Sequence, residues 1–190
     1  MARTPSKMVP LHKKAPPFSL TNTVNQEKVS LQSSKGKYGT LIMFICNHCP
    51  YVKHVNPELL RLAQDYGSKG ISFIAISSND VNAYPQDGPQ QMKQKALELG
   101  YPFPYLYDET QEVARAYEAA CTPDFFVYNK DLLLVYRGQL DDSRPGNNIP
   151  LSGKDIRQAL DCLIAGNSVP PNQKPSIGCN IKWKELTTNG

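Results

Sequence analysis

The feature that most constrains the fold is a pair of short apolar segments with a helical pattern between them. "TLIMFI" (40–45) and "ISFIAI" (71–76) are almost continuously apolar and rich in β-branched residues, which is typical of strands buried on both faces of a sheet. Between them, apolar residues recur with the spacing of an amphipathic helix: Leu59, Leu62, Ala63 and Tyr66. Pro57 can start this helix and Gly67 can end it. The pattern predicts a βαβ unit with parallel strands.

The rest of the chain adds to this sheet. Weaker helical patterns near 89–100 and 113–120 flank a further strand in "FPYLYD". "DFFVY" and "LLLVYRG", separated by turn residues, predict an antiparallel hairpin. A last helix is marked by Ile156, Leu160, Leu163 and Ile164. The sequence therefore predicts an α/β fold, a three-layer α/β/α arrangement with a mixed central sheet.

Length and charge limit the class of protein. A chain of 190 residues with 40% hydrophobic residues suits a single domain, with its core at about 13–166. The net charge of +4 is carried by an N-terminal cluster, interpreted as a solvated tail: Arg3, Lys7, Lys13 and Lys14. No basic stretch lies along a helix face, so we expect no nucleic-acid partner.

After residue 166 the chain is proline-rich and predicts an extended tail over 167–190 that crosses the surface, with three candidate anchors: Ile177, Ile181 and Trp183.

The cellular setting follows from the apolar segments. None is long enough for a signal peptide or a membrane span, so we expect a cytoplasmic protein without a membrane partner. Thiols are kept reduced in the cytosol, and the chain has an odd number of cysteines, 5. A Cys-x-x-Cys in such a chain indicates redox or metal chemistry in preference to a structural disulfide.

That motif is "FICNHC", residues 44–49, at the carboxyl end of the first predicted strand. Ligands and chemistry gather at this edge of α/β sheets. Cys46 is expected at a helix N-terminus, where the helix dipole favours a thiolate and lowers its pKa, and a protonated His48 adds to this effect. Pro50 fits the first turn of such a helix. We therefore expect Cys46 to be the nucleophile and Cys49 the resolving thiol.

Two other interpretations remain open. The cysteines could be core packing, because free cysteine is among the most buried residue types, and Cys162 on the last helix is expected to be core. Alternatively, thiolate and imidazole donors within nine residues could bind copper or zinc: Cys46, His48, Cys49 and His54. His54 on its own is expected to be a surface or capping residue.

Several segments together resemble one family. "KAPPFSLTN" and "KVSLQSSKGKYGTLIMFICNHC" resemble the opening of the alkyl hydroperoxide reductase and thiol-specific antioxidant (AhpC/TSA) family of the thioredoxin superfamily. "CTPDFFVYNKD" and "VYRGQLDD" resemble its second signature, so the similarity covers about 13–166. The tail "KPSIGCNIKWK" looks like that of a peroxiredoxin-like subgroup. The resemblance implies a thioredoxin-like fold with an N-terminal β-hairpin.

The resemblance also implies roles for residues far from the motif. Pro123 would be the cis-proline that faces the Cys-x-x-Cys, and Thr122 would offer its backbone to an extended substrate. Cys121 would then lie near the exchange site, as a third redox thiol or as a small buried residue. Cys179 is a further redox candidate that could reach the active site, pair with another subunit or pack in the tail.

The function implied is that of a thiol-disulfide oxidoreductase or thiol-dependent antioxidant protein that needs no cofactor. Its expected partners are a protein or small-molecule disulfide or peroxide, a thioredoxin-type or glutathione electron donor, and a second copy of the chain as a candidate homodimer. A thiol-dependent peroxidase is the first alternative, although Gly39 and Met43 stand where peroxiredoxins place proline and threonine or serine before the reactive cysteine. A copper metallochaperone is the alternative from another class.

Overall fold

The structure, a computed structural model, describes residues 3–185. Its strands are β1 (Arg3–Pro5), β2 (Ser19–Asn22), β3 (Lys28–Ser30), β4 (Gly39–Phe44), β5 (Ile71–Ser77), β6 (Tyr105–Tyr107), β7 (Cys121–Thr122), β8 (Asp124–Asn129), β9 (Leu134–Gly138) and β10 (Ile177–Asn180). Its α-helices are α1 (Leu31–Ser34), α2 (Pro50–Tyr66), α3 (Pro89–Leu99), α4 (Glu112–Ala116) and α5 (Lys154–Ala165). Two short 3-10 turns complete the description: Gly67–Lys69 and Pro85–Asp87.

Seven strands form the central sheet, in the order β3-β2-β6-β5-β4-β8-β9. The β4–β5 and β5–β6 pairs are parallel and the others are antiparallel, so the sheet is mixed, as predicted. The β4-α2-β5 segment is the predicted βαβ unit. The antiparallel β8–β9 pair is the predicted hairpin, and β2–β3 is the N-terminal hairpin that the family resemblance implies.

Both faces of the sheet are covered, because alternate residues of β4 point into different cores. Leu41 and Met43 pack with helices α2, α3 and α5. Ile42 and Phe44 pack with α1, α4 and the N-terminal segment. Every residue of β4 is buried, which confirms the reading of an apolar run as a strand enclosed on both faces. The three-layer α/β/α arrangement is therefore confirmed.

Helix α2 begins earlier than one of the predictions places it. Cys49 is its N-cap residue and Pro50 its first residue, where a missing amide hydrogen costs nothing. The prediction that Pro57 starts the helix is wrong, since Pro57 lies inside it. Pro57 cannot donate to the carbonyl of Lys53, yet the helix continues to Tyr66 because its apolar face is buried in the core.

The two ends of the chain meet in a second, three-stranded sheet, in the order β1-β10-β7. Both contacts of β10 are antiparallel. The basic N-terminal cluster is thus only partly a solvated tail: Arg3 lies in β1, and Lys13 forms an ion pair of 2.7 Å with Glu118. The tail of 167–190 does not simply cross the surface, because Ile177–Asn180 enters this sheet; residues 186–190 lie outside the described part of the chain.

The three predicted anchors of the tail differ in burial. Ile181 is buried and Ile177 is half-buried. Trp183 is 38% exposed, and the guanidinium of Arg115 lies 4.4 Å from its ring centroid. Ile177 lies in β10 and Ile181 directly follows it, so the tail is held by these two side chains and by the pairing of β10 with β1 and β7. Across residues 3–185, no helix combines the length and apolar character needed to cross a bilayer.

A buried carboxyl group at the start of β8 predicts a pH-dependent stability. Asp124 accepts a hydrogen bond from the amide of Ala120 (3.1 Å), while its Oδ1 has no partner among the described residues. Burial raises the pKa of Asp124 to about 7, although backbone hydrogen bonds oppose the shift. The unfolded value is about 3.9, so the native state binds more protons between about pH 4 and pH 7. The free energy of unfolding from this group therefore falls as the pH rises through that window.

Asp124→Asn should remove this pH-dependent loss of stability, because an asparagine side chain does not ionise. We expect the free energy of unfolding at pH 8 to rise by about 2 to 4 kcal/mol relative to the wild type, with little change at pH 4. Urea unfolding at both pH values measures the difference. An unchanged pH dependence in Asp124→Asn would show that the carboxyl group is ionised in the native state without penalty.

Candidate active site

The two motif cysteines lie where β4 ends and α2 begins. β4 ends at Phe44, so Cys46 belongs to the short connection and Cys49 to the cap of the helix. Both are enclosed by the core: Cys46 is 2% exposed and Cys49 is 0% exposed. The small accessible surface of the pair therefore belongs to Cys46. The site stands at the carboxyl ends of the parallel strands, the predicted edge of the sheet.

The loop between α4 and β8 closes over the two sulfurs. The Thr122–Pro123 peptide bond is cis, as the family resemblance implies. The Oγ1 of Thr122 lies 3.4 Å from the Cys46 sulfur, and the Cys49 sulfur lies 3.1 Å from the carbonyl oxygen of Thr122, to which it donates when it is protonated. One residue of this loop thus contacts both members of the motif.

The electrostatics of the pair reverse the predicted assignment of the thiolate. A hydrogen-bonding interaction between the two side chains is the largest cause for both residues: it lowers the pKa of Cys49 and raises that of Cys46 well above its usual value. Burial and the negative charge of Asp87 raise the pKa of Cys46 further. This direction is opposite to the lowered pKa predicted for Cys46, and its causes are the neighbouring Cys49, burial and Asp87. The N-cap of α2 is Cys49, not Cys46.

His48 is held by a carboxylate that the sequence did not single out. Its Nδ1 lies 2.5 Å from Oδ2 of Asp87 and 3.8 Å from the Cys46 sulfur, and its ring stacks on Tyr84 with centroids 5.1 Å apart. The Nε2 of His48 is buried without a hydrogen-bond partner among the described residues. With the Nδ1 proton directed at Asp87, this second nitrogen is the ring atom left to exchange a proton with a bound molecule.

Asp87 is the centre of this polar network. It is completely buried and accepts hydrogen bonds from the backbone amides of Asn47 (2.8 Å) and His48 (3.2 Å) and from Nδ2 of Asn79 (2.8 Å). Burial opposes its ionisation, but the hydrogen bonds from His48 and Asn79 outweigh it, so the pKa of Asp87 is lowered. Asp87 therefore fixes the two residues between the cysteines.

The position of Asp87 carried a signal in the sequence. "SSNDVNAYPQDG" follows the second buried strand, and the carboxyl ends of neighbouring parallel strands meet at one edge of a sheet. A long polar segment at that place indicates side chains near the cysteines. What the sequence could not indicate is which of its polar residues turns inward, because Asp87 reaches Asn47 across 40 positions of the chain.

Three of these side chains also form a cluster of metal-binding donors. The donor atoms of Cys46, His48 and Asp87 lie within 4.8 Å of one another. Ligands on one tetrahedral ion, each about 2.0–2.3 Å from it, stand more than 3 Å apart, whereas the His48 and Asp87 atoms are 2.5 Å apart. That contact is a hydrogen bond. His54, the other predicted ligand, lies away from the cluster and contacts the hydroxyl of Ser143 at 2.8 Å.

The backbone edge of Thr122 is already occupied. Family resemblance implies that an extended substrate pairs there, but β10 pairs with β7 in the register Cys179 to Thr122 and Asn180 to Cys121. An added Cβ on Gly178 would lie 2.0 Å from the carbonyl oxygen of Thr122. The chain itself therefore fills the edge predicted for the substrate, at a separation that only glycine permits.

The remaining cysteines lie in different surroundings. Cys121 is buried, its thiol donates to the carbonyl of Pro123, and burial raises its pKa far above the usual value. Cys162, predicted to be core, is only half-buried. Cys179 is buried and pairs with Thr122, whose carbonyl oxygen lies 3.1 Å from the Cys49 sulfur. Both additional redox candidates therefore lie near the motif, and the neighbouring Cys49 raises the pKa of each.

Two solved structures are similar to this chain over nearly its whole length. The chain is similar to an uncharacterized conserved protein from Geobacillus kaustophilus, with 62% identity, a TM-score of 0.97 and coverage of 98% of this chain and 99% of that chain. It is also similar to the hypothetical protein SMc02350 from Sinorhizobium meliloti 1021, with 42% identity, a TM-score of 0.94 and coverage of 96% and 100%. The chain matches no protein of curated function.

More distant structures share the fold. The thioredoxin domain of a thiol-disulfide oxidoreductase from Bacteroides vulgatus has 18% identity and a TM-score of 0.59, with coverage of 72% of this chain and 90% of that chain. Residues 11–137 match the AhpC/TSA family. The match and the fold together support a redox activity in general terms. The protein with this cysteine pair therefore belongs to the AhpC/TSA family and has a thioredoxin-like fold.

Proposed function

We propose that the protein is a thiol-disulfide oxidoreductase in which Cys46 attacks a substrate disulfide and Cys49 resolves the product. The observation that carries this proposal is the position of both sulfurs at the carboxyl end of β4, where each contacts Thr122, the residue before the cis proline. In the reduced state the pair holds one proton, on Cys46, and the Cys49 thiolate takes it up as Cys46 forms a bond to one substrate sulfur. The other substrate sulfur leaves as a thiolate.

The second half of the cycle forms the disulfide of the protein. The proton on Cys49 passes to the departing thiolate, and the new Cys49 thiolate attacks the Cys46 sulfur of the mixed disulfide. The bond between Cys46 and the substrate breaks, the second substrate thiolate leaves, and the protein holds a Cys46–Cys49 disulfide. One substrate disulfide is reduced for each protein dithiol oxidised.

Residues around the pair support the roles in this cycle. The hydroxyl of Thr122 contacts the Cys46 sulfur, and its hydrogen bond favours the thiolate of Cys46. Asp87 holds His48 so that Nε2 is free of protein partners among the described residues. We assign that nitrogen to the second substrate thiolate, which leaves without a proton from Cys49. Asp87 acts through the residues that it positions.

The surroundings favour a small polar disulfide as the substrate. An extended peptide has no free backbone edge at Thr122 while β10 is paired there. Beside His48, a groove is lined by amide and charged side chains: Asn47, Lys53, Gln86, Gln91, Gln94, Lys95 and Glu98. The ends of these side chains offer hydrogen bonds and charges to a small polar disulfide, although most of the groove's exposed surface is apolar.

Catalytic turnover tests the proposal. We expect the protein to accelerate reduction of bis(2-hydroxyethyl) disulfide with either glutathione or a reduced thioredoxin as the electron donor, and to reduce insulin disulfides more slowly. No acceleration with either donor would refute the oxidoreductase assignment. Faster reduction of insulin would instead refute the proposed substrate class.

Two alternative functions are each favoured by one observation. A peroxidase would use the same Cys46, with the hydroxyl of Thr122 near its sulfur, and consumption of hydrogen peroxide by the reduced protein tests it.

A metal-binding protein would use the donors of Cys46, His48 and Asp87. Equilibrium dialysis of the reduced protein against Zn²⁺ or Cu⁺ tests this second class, and one tightly held ion that blocks thiol alkylation would favour it.

A further inference from the structure

The C-terminal strand β10 is fastened directly to the active-site loop. Besides the pairing of Cys179 with Thr122, the amide of Ile181 donates to the carbonyl of Ala120 at 3.1 Å. The hydroxyl of Ser176 donates to the carbonyl of Pro123 at 2.7 Å. These contacts lie on both sides of Cys179, so its position relative to the motif is fixed by the backbone.

On its other edge, β10 is held by the N-terminal strand. β1 pairs with it from Arg3 to Pro5, and the amide of Ser6 donates to the carbonyl of Ser176 at 2.8 Å. Ser176 in turn donates its own amide to the hydroxyl of Ser6 at 2.8 Å. β10 is therefore paired along both edges. It places Cys179 in the interior, next to the active-site loop.

Within this arrangement Thr122 brings Cys49 and Cys179 together. The Cys49 sulfur lies 3.1 Å from the carbonyl oxygen of Thr122, and Cys179 is the residue of β10 that pairs with Thr122. Both cysteines are buried in the same core cluster as Cys46, so the sulfur that forms a disulfide with Cys46 in the proposed cycle has a third thiol close by. The other two cysteines are placed differently: the Cys121 thiol donates to the carbonyl of Pro123, and Cys162 lies on α5.

We infer that Cys179 is a third exchange thiol, which takes over the disulfide from the motif by attacking Cys49. This inference rests on the proposed function, because it begins from the Cys46–Cys49 disulfide. The bond between Cys49 and Cys179 forms as the bond between Cys49 and Cys46 breaks. The electron pair leaves on the Cys46 sulfur, which takes up the proton that Cys179 loses, so no external oxidant or reductant is consumed.

The consequence is a relay from the active site to the C-terminal strand. The exchange returns Cys46 to its reduced form while the oxidised state is stored on β10. An electron donor can then attack the Cys49–Cys179 disulfide without occupying the position of the substrate at Cys46. The same strand that closes the edge of Thr122 thereby gives the protein a separate route for its reduction.

Disulfide mapping after treatment with diamide tests the relay. In Cys46→Ala, which keeps 4 of the 5 cysteines, we expect the loss of two free thiols and a peptide pair linking Cys49 to Cys179. In wild-type protein the same treatment should give Cys46–Cys49 and a fraction of Cys49–Cys179. Cys46→Ala combined with Cys179→Ser should keep all of its thiols.

A pair of glycine variants in the Cys46→Ala background tests the geometry. Gly178→Ala places a Cβ 2.0 Å from the carbonyl of Thr122, whereas a Cβ at Gly67 meets nothing within 4 Å. We expect Gly178→Ala to slow formation of the Cys49–Cys179 disulfide at least tenfold and Gly67→Ala to leave its rate unchanged. Equal rates in both variants would overturn the role assigned to β10.

The outcomes separate the relay from the function on which it rests. If wild-type protein forms Cys46–Cys49 but Cys46→Ala keeps all four thiols, the relay is refuted and the proposed function stands. If Cys46→Ala instead links Cys49 to Cys121 or Cys162, the assignment to Cys179 is refuted. If wild-type protein forms no Cys46–Cys49 disulfide, the proposed function itself fails.

Discussion

Replacing Cys46 by serine is expected to lower the rate of disulfide reduction by more than about a thousandfold, because a hydroxyl is a far weaker nucleophile than a thiol at neutral pH. Replacing Cys49 by serine should have a different signature. The attack by Cys46 then ends at a mixed disulfide, because the second thiol is missing. Mass spectrometry of the protein mixed with bis(2-hydroxyethyl) disulfide should detect a stable adduct on Cys46 in Cys49→Ser and no adduct on residue 46 in Cys46→Ser.

The half-buried Cys162 provides the matched control for these variants, since it lies away from the motif on α5. Cys162→Ser should reduce the substrate at the wild-type rate. If Cys49→Ser collects its adduct on Cys179 or Cys121 instead of Cys46, the assigned nucleophile is wrong. If both motif variants keep the wild-type rate, the motif is not the exchange site.

Asp87→Asn is expected to weaken both the fold and the control of the thiols. The side chain would lose its charge and one acceptor in a buried network that receives hydrogen bonds from His48 and Asn79. Buried hydrogen bonds to charged groups contribute about 1.5–3 kcal/mol each, so we expect the free energy of unfolding at pH 7 to fall by about 2 to 4 kcal/mol. Urea unfolding measures this loss.

Asp87→Asn should also change two pH dependences. Because the folded pKa of Asp87 is lowered, its contribution to stability is present above about pH 4 and is lost as the pH falls through the folded value; the variant lacks this contribution. Its negative charge also raises the pKa of Cys46. We therefore expect alkylation of Cys46 to begin at lower pH in the variant, a shift that a purely structural role would not produce.

Asp142→Asn serves as the control for that experiment. Asp142 forms ion pairs with Lys154 and Lys174, but all three side chains are partly or largely exposed. Surface ion pairs contribute about 0–1 kcal/mol, so this variant should unfold almost as the wild type does and keep the wild-type alkylation profile. An equal loss of stability in the two variants would contradict the importance given to burial at Asp87.

The parts of the fold that the sequence predicted are those set by local patterns. Two apolar runs, the helix pattern between them and the turn after "DFFVY" depend on neighbouring residues, and each appears in the structure as β4, β5, α2 and the β8–β9 hairpin. The position of the cysteines at the carboxyl end of β4 follows from the same patterns. Such features are readable because burial on both faces of a sheet leaves few polar residues in a strand.

The errors arise where distant segments decide the outcome. β10 has no periodicity that marks it as a strand, and its pairing with β1 and β7 joins residues more than 50 positions apart. The pKa assignment of the two thiols failed for a related reason. The pKa of Cys46 depends on its interaction with Cys49, on its burial and on Asp87, a buried charge that reaches the motif from another loop.

The most direct measurement is a single turnover with the aromatic disulfide 5,5′-dithiobis(2-nitrobenzoate), one equivalent per reduced protein at pH 7. We expect rapid release of two aromatic thiolates per protein and, by peptide mapping without reductant, a Cys46–Cys49 disulfide, alone or partly passed on to Cys179. If reactivity only follows exposure, the half-buried Cys162 reacts first, one thiolate is released, and the aromatic group stays on Cys162. That result would contradict the assignment of the motif as a redox centre.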